Sequence, residues 1–516
     1  MANLGRHAPK SRAGCLTCKK RRVKCDQARP TCQRCIKAGL GCGGYPLELI
    51  SSTLAQISRS TVISTSTTLL SAFSATRQEW QAYGLYSRKV SSALSGAFDT
   101  DLWQSLFLQI ATTEVPVRLA LFALGTLVRH NESGSVQHIS SCLCTHCRQG
   151  LRYYNKSILS LSDYLQKTPA NESIDLALVS CVLFTCIELY RTNDRNAITL
   201  VEKGSSILSQ ATELNFHHRQ PHPSLLNLFN RLRISTGMFS WDFNGRPSID
   251  ALAVASEQLR FENLGVAREI LLKLTPKAQS LRVAASKAHR LDTHRSDLAL
   301  SLRALTNEQD IAKTQLASWF RAFEGLKLHP GQDVSPFAVQ FLYAKFLSTR
   351  IHINTALEIS QDIYLDYIDD FKAIVAAAEE GVQHASNDET WLGFTFEGGF
   401  LPSLYLAGLK CRDPEIRRKI LSLMHRCNAK EGLWCRSELV CVLARVMEIE
   451  EGCTSVFSGD RDSSDSGQAP PRLYDVSCDI NYRKLGSLFV DVVYTLYDEA
   501  SPEPWRTFTE TLLIEK

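Results

Sequence analysis

Three things are missing from this sequence. No stretch approaches the ~18 uncharged apolar residues that a membrane span needs. The best run, Leu176 to Ile187, has twelve, and Asp175 and Glu188 close it on either side. The N-terminal residues MANLGRHAPKSRAG have no apolar segment and no cleavage-site pattern, so they are not expected to be a secretory signal. Nor is there a G-x-S-x-G, P-loop or G-x-G-x-x-G motif, or any placed nucleophile–base pair, so no reading as an enzyme is supported. The expectation is an intracellular, non-enzymatic protein with no membrane segment, whose thiols stay reduced.

Acidic residues are scarce in one place only. Residues 1–46 hold 11 Lys/Arg and a single acid, Asp26, and so carry +10, whereas the remaining 470 residues carry −5. A basic head on a faintly acidic body points to an anionic partner for the head alone. The chain of 516 residues is 44% hydrophobic and 22% charged, a globular balance with room for two to four domains.

Cysteine is plentiful and unevenly spread. Of 17 cysteines, six fall within residues 15–42 and eleven are scattered from Cys142 to Cys478. The scattered ones read as small buried hydrophobes. The six are Cys15, Cys18, Cys25, Cys32, Cys35 and Cys42, spaced C-x2-C-x6-C-x6-C-x2-C-x6-C. Moving the first three along by 17 residues reproduces the last three, so the motif is an internal repeat of two halves. A C-x2-C pair chelates one metal from a single turn at the start of a helix, and the third cysteine closes the coordination. A closed zinc site needs four ligands, and each half offers three. Six thiolates satisfy two zinc ions only if two are shared, and the first cysteine of each half, Cys15 and Cys32, is assigned that bridge. Two Zn²⁺ and six thiolates sum to −2, which Lys19, Lys20, Arg21, Arg22 and Lys24 offset between the second and third ligands. The 28 residues of the cluster are too few for a hydrophobic core, so metal binding is expected to supply its folding energy. The spacing fits neither a ferredoxin cluster nor a secreted disulfide framework.

These residues resemble the fungal binuclear zinc-cluster (Zn₂Cys₆) transcription factors. The resemblance covers residues 12–46 and is carried by all six spacings, the basic run KKRRVKC, Asp26 after the third cysteine, and Pro30 before the fourth. It implies a head that binds double-stranded DNA at a CGG-like triplet in the major groove. Arg21 and Arg22 are implied as the base readers and Lys19, Lys20 and Lys24 as phosphate contacts. Many members carry lysine where this chain has Arg22. The basic run doubles as a nuclear import signal, so the expected location is the nucleus.

The rest of the chain reads as helix. Apolar residues recur at helical spacing from about Trp80, as in Leu102/Leu106/Ile110 and Leu151/Tyr154/Ile158/Leu161. Stretches 86–125, 150–161, 178–208 and 410–434 resemble the second fungal-specific transcription factor domain, which implies a helical regulatory region that in some relatives binds a small apolar effector. The expected organisation is a basic arm at 1–14, a Zn₂Cys₆ DNA-binding domain at 12–46, a linker at 47–79 and a helical regulatory domain at 80–516, with a subdivision near 291–310. The fold class is mainly α. Residues 51–76 contain 14 Ser/Thr in 26 positions and no heptads, so no coiled coil is expected there. The head is expected to act as a monomer on DNA, or the chain to form a homodimer through its body.

The expected function is transcription regulation with RNA polymerase II, through the transcription machinery or coregulators. The alternative is an effector-sensing or interaction protein with weak or vestigial DNA binding. Several other groups read as structure. Cys142, Cys144, His146 and Cys147 read as a thiol-rich loop opening the Tyr153 helix rather than as a third zinc site or a redox switch, because their spacing fits no standard zinc set. His217, His218 and His222 lie in a polar loop, and Arg412, Asp413, Glu415, Arg417 and Arg418 form a solvated mixed-charge helix start. Residues 391–400, WLGFTFEGGF, read as a packed turn or a pocket wall, and the acidic–aromatic C-terminus from Tyr494 as a docked helix or a coactivator-recruiting segment.

Overall fold

The computed structural model describes residues 16–21, 23–26, 32–38, 40, 73–132, 142, 144–213, 222–237, 259–291, 295–327, 335–386, 393–396, 398–452, 472–478, 489–499, 501 and 503–514. The chain divides into two units, Met1–Ala72 and Phe73–Lys516. The first contains two five-residue helices, Leu16–Lys20, which holds Cys18, and Gln33–Lys37, which holds Cys35 and is capped by Cys32.

The second unit is mainly helical, as its periodicity requires. It opens with a capping box. Thr76 accepts from the Glu79 N–H, and the Glu79 carboxylate accepts from the Thr76 N–H, starting the helix Arg77–Leu85. Consecutive helices then fold back on one another in pairs: Val115–Glu132 on Thr145–Lys167, Ala170–Tyr190 on Asp194–Glu213, Leu264–Leu291 on Arg295–Lys327, and Pro336–Asn354 on Ile368–Ser386. Pro116 sits in the first turn of its helix, where a missing N–H costs nothing. Gly125 lets that helix approach Arg77–Leu85 closely, since a Cβ there would fall 2.1 Å from the Ala82 carbonyl oxygen. The helix Ala170–Tyr190 holds a stretch long and apolar enough to cross a membrane, yet 89% of it is buried inside the protein. It is a core helix, apolar on every face because every face is covered.

The expected subdivision near 291–310 is absent from the described residues. The 33-residue helix Arg295–Lys327 runs through that region and packs on its predecessor. One continuous core joins Trp319, Phe323, Leu342, Phe371, Leu404 and Val442 to Val492 and Tyr494.

Those last two residues belong to strands. Beside a small sheet of β1 (Phe394–Thr395), β2 (Lys430–Glu431) and β3 (Trp434–Cys435), a three-stranded antiparallel sheet, β4 (Leu473–Cys478), β5 (Phe489–Tyr497) and β6 (Trp505–Leu513), closes the C-terminus, with β5 in the centre. The stretch from Tyr494 is therefore not a docked helix. Val490, Val492, Tyr494 and Leu496 alternate inward on β5, and Glu510 on β6 is held by Arg445 of the helix Arg436–Glu450. Trp505 packs edge-on against Tyr474, with Arg290 over its ring. The acidic and aromatic residues named for recruitment are thus partly consumed in fixing the sheet.

The mixed-charge run also departs from expectation. Asp413 does cap the helix Pro414–Arg426, and Glu415 and Arg418 are exposed. Arg417, however, is only 2% exposed and pairs with the buried Glu450, which also accepts from Arg412 at 2.7 Å and from the Leu473 N–H at 3.0 Å. Asp99 behaves alike. Its carboxylate takes a bidentate pair from Arg268, both contacts at 2.8 Å, and another from Arg231. Burial alone would raise the Asp99 carboxyl, but the two guanidinium groups outweigh it and hold it below its ordinary value.

Glu450 therefore joins two helices and a strand. Replacing it with Ala strands two buried guanidinium groups and is expected to destabilise the protein by about 3–5 kcal/mol. Lys167→Ala, which breaks an exposed pair with Asp163, should change stability by under ~0.5 kcal/mol. Urea unfolding of the two variants checks both, and similar effects would contradict the assignment.

Candidate metal centre and nucleic-acid interface

Among the described residues from 16 to 40, the only buried ones are Cys18, Cys25, Cys32 and Cys35. Val23, Ile36 and Leu40, which would build a hydrocarbon core, are exposed. The Cys18 sulfur lies 3.6 Å from that of Cys32 and 3.9 Å from that of Cys35, although these residues come from different halves of the repeat. Ligands at ~2.3 Å around a tetrahedral zinc sit about 3.8 Å apart. The sulfur spacing therefore fits zinc. Cys15 and Cys42 lie outside the described residues.

Two details pre-shape this centre. Cys32 caps the second short helix, its sulfur accepting from the Cys35 N–H at 3.3 Å, a contact that favours a thiolate. Asp26 accepts from the N–H groups of Gln33 at 3.2 Å and Arg34 at 2.8 Å. The lone acid of the basic head thus ties the end of the first half to the helix start of the second. The sequence marked Asp26 as part of a motif. Its role as a cap needed the fold, because its partners lie seven and eight residues on.

The basic run faces outward. Lys20, Arg21 and Lys24 are all exposed. Arg21 follows the first helix, its N–H donating to the Thr17 carbonyl at 3.0 Å. Arg22 and the side chain of Lys19 lie outside the described residues.

Two of the body's cavities lie among its described residues. The first is lined by Ile198, Val201, Leu272, Phe341 and Phe396, with the amine of Lys345 in its wall. Burial pulls that amine down to about 8. The second is lined by Phe98, Phe337, Phe341 and Phe400, with Asp99, Arg268 and Glu431. Gly398 and Gly399 border both, so the described part of the WLGFTFEGGF segment is a pocket wall as well as the lead into the helix Leu401–Lys410. Glu431 accepts there from the N–H groups of Gly399 at 2.8 Å and Leu401 at 2.9 Å. Burial pushes its carboxyl up to about 7, against those same N–H groups.

Of the histidines, His217 and His218 lie outside the described residues, and His222 opens the helix Pro223–Gly237, its ring accepting from the Ser224 N–H. Cys144 opens the helix Thr145–Lys167, as the thiol-rich loop reading implies.

Comparison with known proteins bears on both units. Residues 13–49 match the fungal Zn(2)-Cys(6) binuclear cluster domain, and residues 83–248 the fungal specific transcription factor domain. The aspercryptin biosynthesis cluster-specific transcription regulator atnN of Emericella nidulans is 29% identical over 230 residues, 39% of this chain and 35% of that protein. Sterol uptake control protein 2 of Candida albicans is 61% identical over 46 residues, 8% of this chain and 6% of that protein. Arginine metabolism regulation protein II of Saccharomyces cerevisiae is 55% identical over 40 residues, 8% and 4%. The matched region spans about a third of the first relative and far less of the others. No solved structure matches the chain. These relatives are regulators, not enzymes.

Two outcomes follow from the geometry. Asp26→Ala removes the carboxylate that accepts from the Gln33 and Arg34 N–H groups at the start of the second helix, so a chelator competition assay should find zinc held roughly 10-fold more weakly by the cluster. An unchanged affinity would deny Asp26 that role. For Glu431 the folded value of about 7 lies above the unfolded value of ~4.3. Its contribution to stability is complete below the unfolded value and is lost as pH rises through 7. Glu431→Gln should remove that part of the pH dependence, seen by urea unfolding at a series of pH values. An identical slope in the variant would count against it.

Proposed function

We propose that this chain, a fungal binuclear zinc-cluster protein that also carries the fungal specific transcription factor domain, is a nuclear, sequence-specific DNA-binding regulator of RNA polymerase II transcription. Residues 12–46 form the DNA-binding domain, 47–79 a linker and 80–516 the regulatory body. The single observation that carries this reading is the inversion of the N-terminal unit. Its described cysteines are inside, and its described basic side chains and apolar residues are outside. None of its described large apolar side chains is inside to hold it together, and it presents cationic groups at the surface, as phosphate binding requires.

The six cysteines hold two zinc ions, with Cys15 and Cys32 shared. The closeness of Cys32 to Cys18 in the other half supports Cys32 as a bridge. Zinc supplies the fold of the head, and the protein supplies the reading surface. Arg21 and Arg22 pair with guanine edges of a CGG-like triplet, each able to offer a bidentate fork to O6 and N7. Lys19, Lys20 and Lys24 neutralise phosphates and fix the register.

One triplet is too short to mark a unique genomic site, so the body contributes to specificity through coregulators or a second copy of the chain. A small apolar effector suits the body's first cavity, where Phe341 and Phe396 supply contact area and Lys345 one polar group.

Titration of the full chain on selected and random DNA at several salt concentrations tests this proposal. Arg21→Ala should cost ~1–3 kcal/mol on the preferred site and little on random DNA. Lys24→Ala should weaken both similarly and flatten the log–log salt slope by ~0.9. No preference for any DNA site in the zinc-loaded chain would favour the effector-sensing alternative.

A further inference from the structure

Where the helix Val115–Glu132 ends and the helix Thr145–Lys167 begins, four side chains with ligand atoms converge. The donor atoms of His130, Cys142, Cys144 and Cys147 all lie within 4.8 Å of one another. We propose that these four residues bind one Zn²⁺ ion, a third metal site, built into the regulatory body.

The chemistry and the spacing agree. Three thiols and one imidazole make a Cys₃His set, one of the standard closed zinc coordinations. The Cys144 sulfur is 3.6 Å from Nδ1 of His130. Ligands at ~2.3 Å (sulfur) and ~2.0 Å (nitrogen) around a tetrahedral zinc are separated by about 3.5 Å. His130 is 2%, Cys142 5% and Cys147 1% exposed, so the donors meet in a place screened from water, with only Cys144 half-buried.

The backbone is arranged for thiolates rather than thiols. The Cys144 N–H donates to the Cys142 sulfur at 3.3 Å, and the Cys147 N–H to the Cys144 sulfur at 3.4 Å. Three thiolates, a neutral imidazole and Zn²⁺ leave a net charge of −1. That charge lies at the N-terminus of a 23-residue helix, which Cys144 caps and whose first turn contains Cys147. The helix dipole favours a negative charge there. A disulfide would use two of the sulfurs and leave the third thiol and the imidazole gathered for no purpose.

Four protein donors leave no open coordination position, so the ion ties structure together and does not activate water. It fastens the end of one helix to the start of the next, within the region that matches the fungal specific transcription factor domain. The spacing C-x-C-x-H-C gave no standard set because His146 is the wrong histidine. The fourth donor lies twelve residues before Cys142, and only the pairing of the two helices brings it in.

The test uses the full chain, purified under reducing conditions with zinc. Elemental analysis should give three zinc ions per chain, two of them lost in Cys32→Ser. The body ion should be lost in His130→Ala and in the triple variant C142S/C144S/C147S, and kept in His130→Cys, which restores a fourth ligand. The unmutated protein gives an independent reading. Cys142, Cys144 and Cys147 should resist iodoacetamide until a chelator is added, as mapped by mass spectrometry. Two zinc ions per chain, with those thiols alkylated equally fast with and without chelator, would overturn the proposal. So would a disulfide among the three in the zinc-loaded chain.

Discussion

The N-terminal unit depends on sulfur taking the place of hydrocarbon. Burying a methylene-rich side chain is worth ~1.5–3 kcal/mol, and a unit this small can bury too few of them to offset the ordering of its backbone. Its apolar residues Val23, Ile36 and Leu40 are left outside. Zinc–thiolate bonding is what remains, strong enough per ligand that a handful of cysteines specifies one shape. The same substitution frees the surface. With sulfur at the centre, five of the six residues between Cys18 and Cys25 can be cationic, and such cations offset the negative charge of thiolates.

The body solves a different problem. Its core is large and apolar, yet it also encloses ion pairs that join elements distant in sequence. Glu450 holds Arg412, Arg417 and the first strand of the C-terminal sheet; Asp99 holds Arg231 and Arg268. Such pairs add little net stability over a hydrophobic replacement, but each fails badly when one partner is lost. They therefore act mainly as registration points, fixing which helix sits beside which. The cavities around Phe341 lie next to the Asp99 network, so a ligand there would meet walls whose positions are already set.

Cysteine clusters occur in both units. In the head the six cysteines are close in sequence and repeat every 17 residues, so arithmetic on the chain points to them as a candidate ligand set. In the body three thiols are close in sequence, but the imidazole comes from the preceding helix. A loop motif that looked incomplete gains its fourth donor only when Val115–Glu132 and Thr145–Lys167 pack together.

What the sequence determined by itself was everything encoded at short range. The six spacings, the basic run and the helical periodicity of the body all rest on patterns among near neighbours, and all were legible. Tertiary structure alone decided the rest. Arg417 reads as a solvated charge until Glu450, 33 residues on, takes it into the core. Val490, Val492, Tyr494 and Leu496 alternate as a strand should, but a short apolar alternation is ambiguous until β4 and β6 supply partners on both sides. The Asp99 carboxylate is spent on two arginines more than 130 residues away. In each case the deciding free energy comes from desolvation and pairing with a distant group, and no local pattern in the chain carries that information.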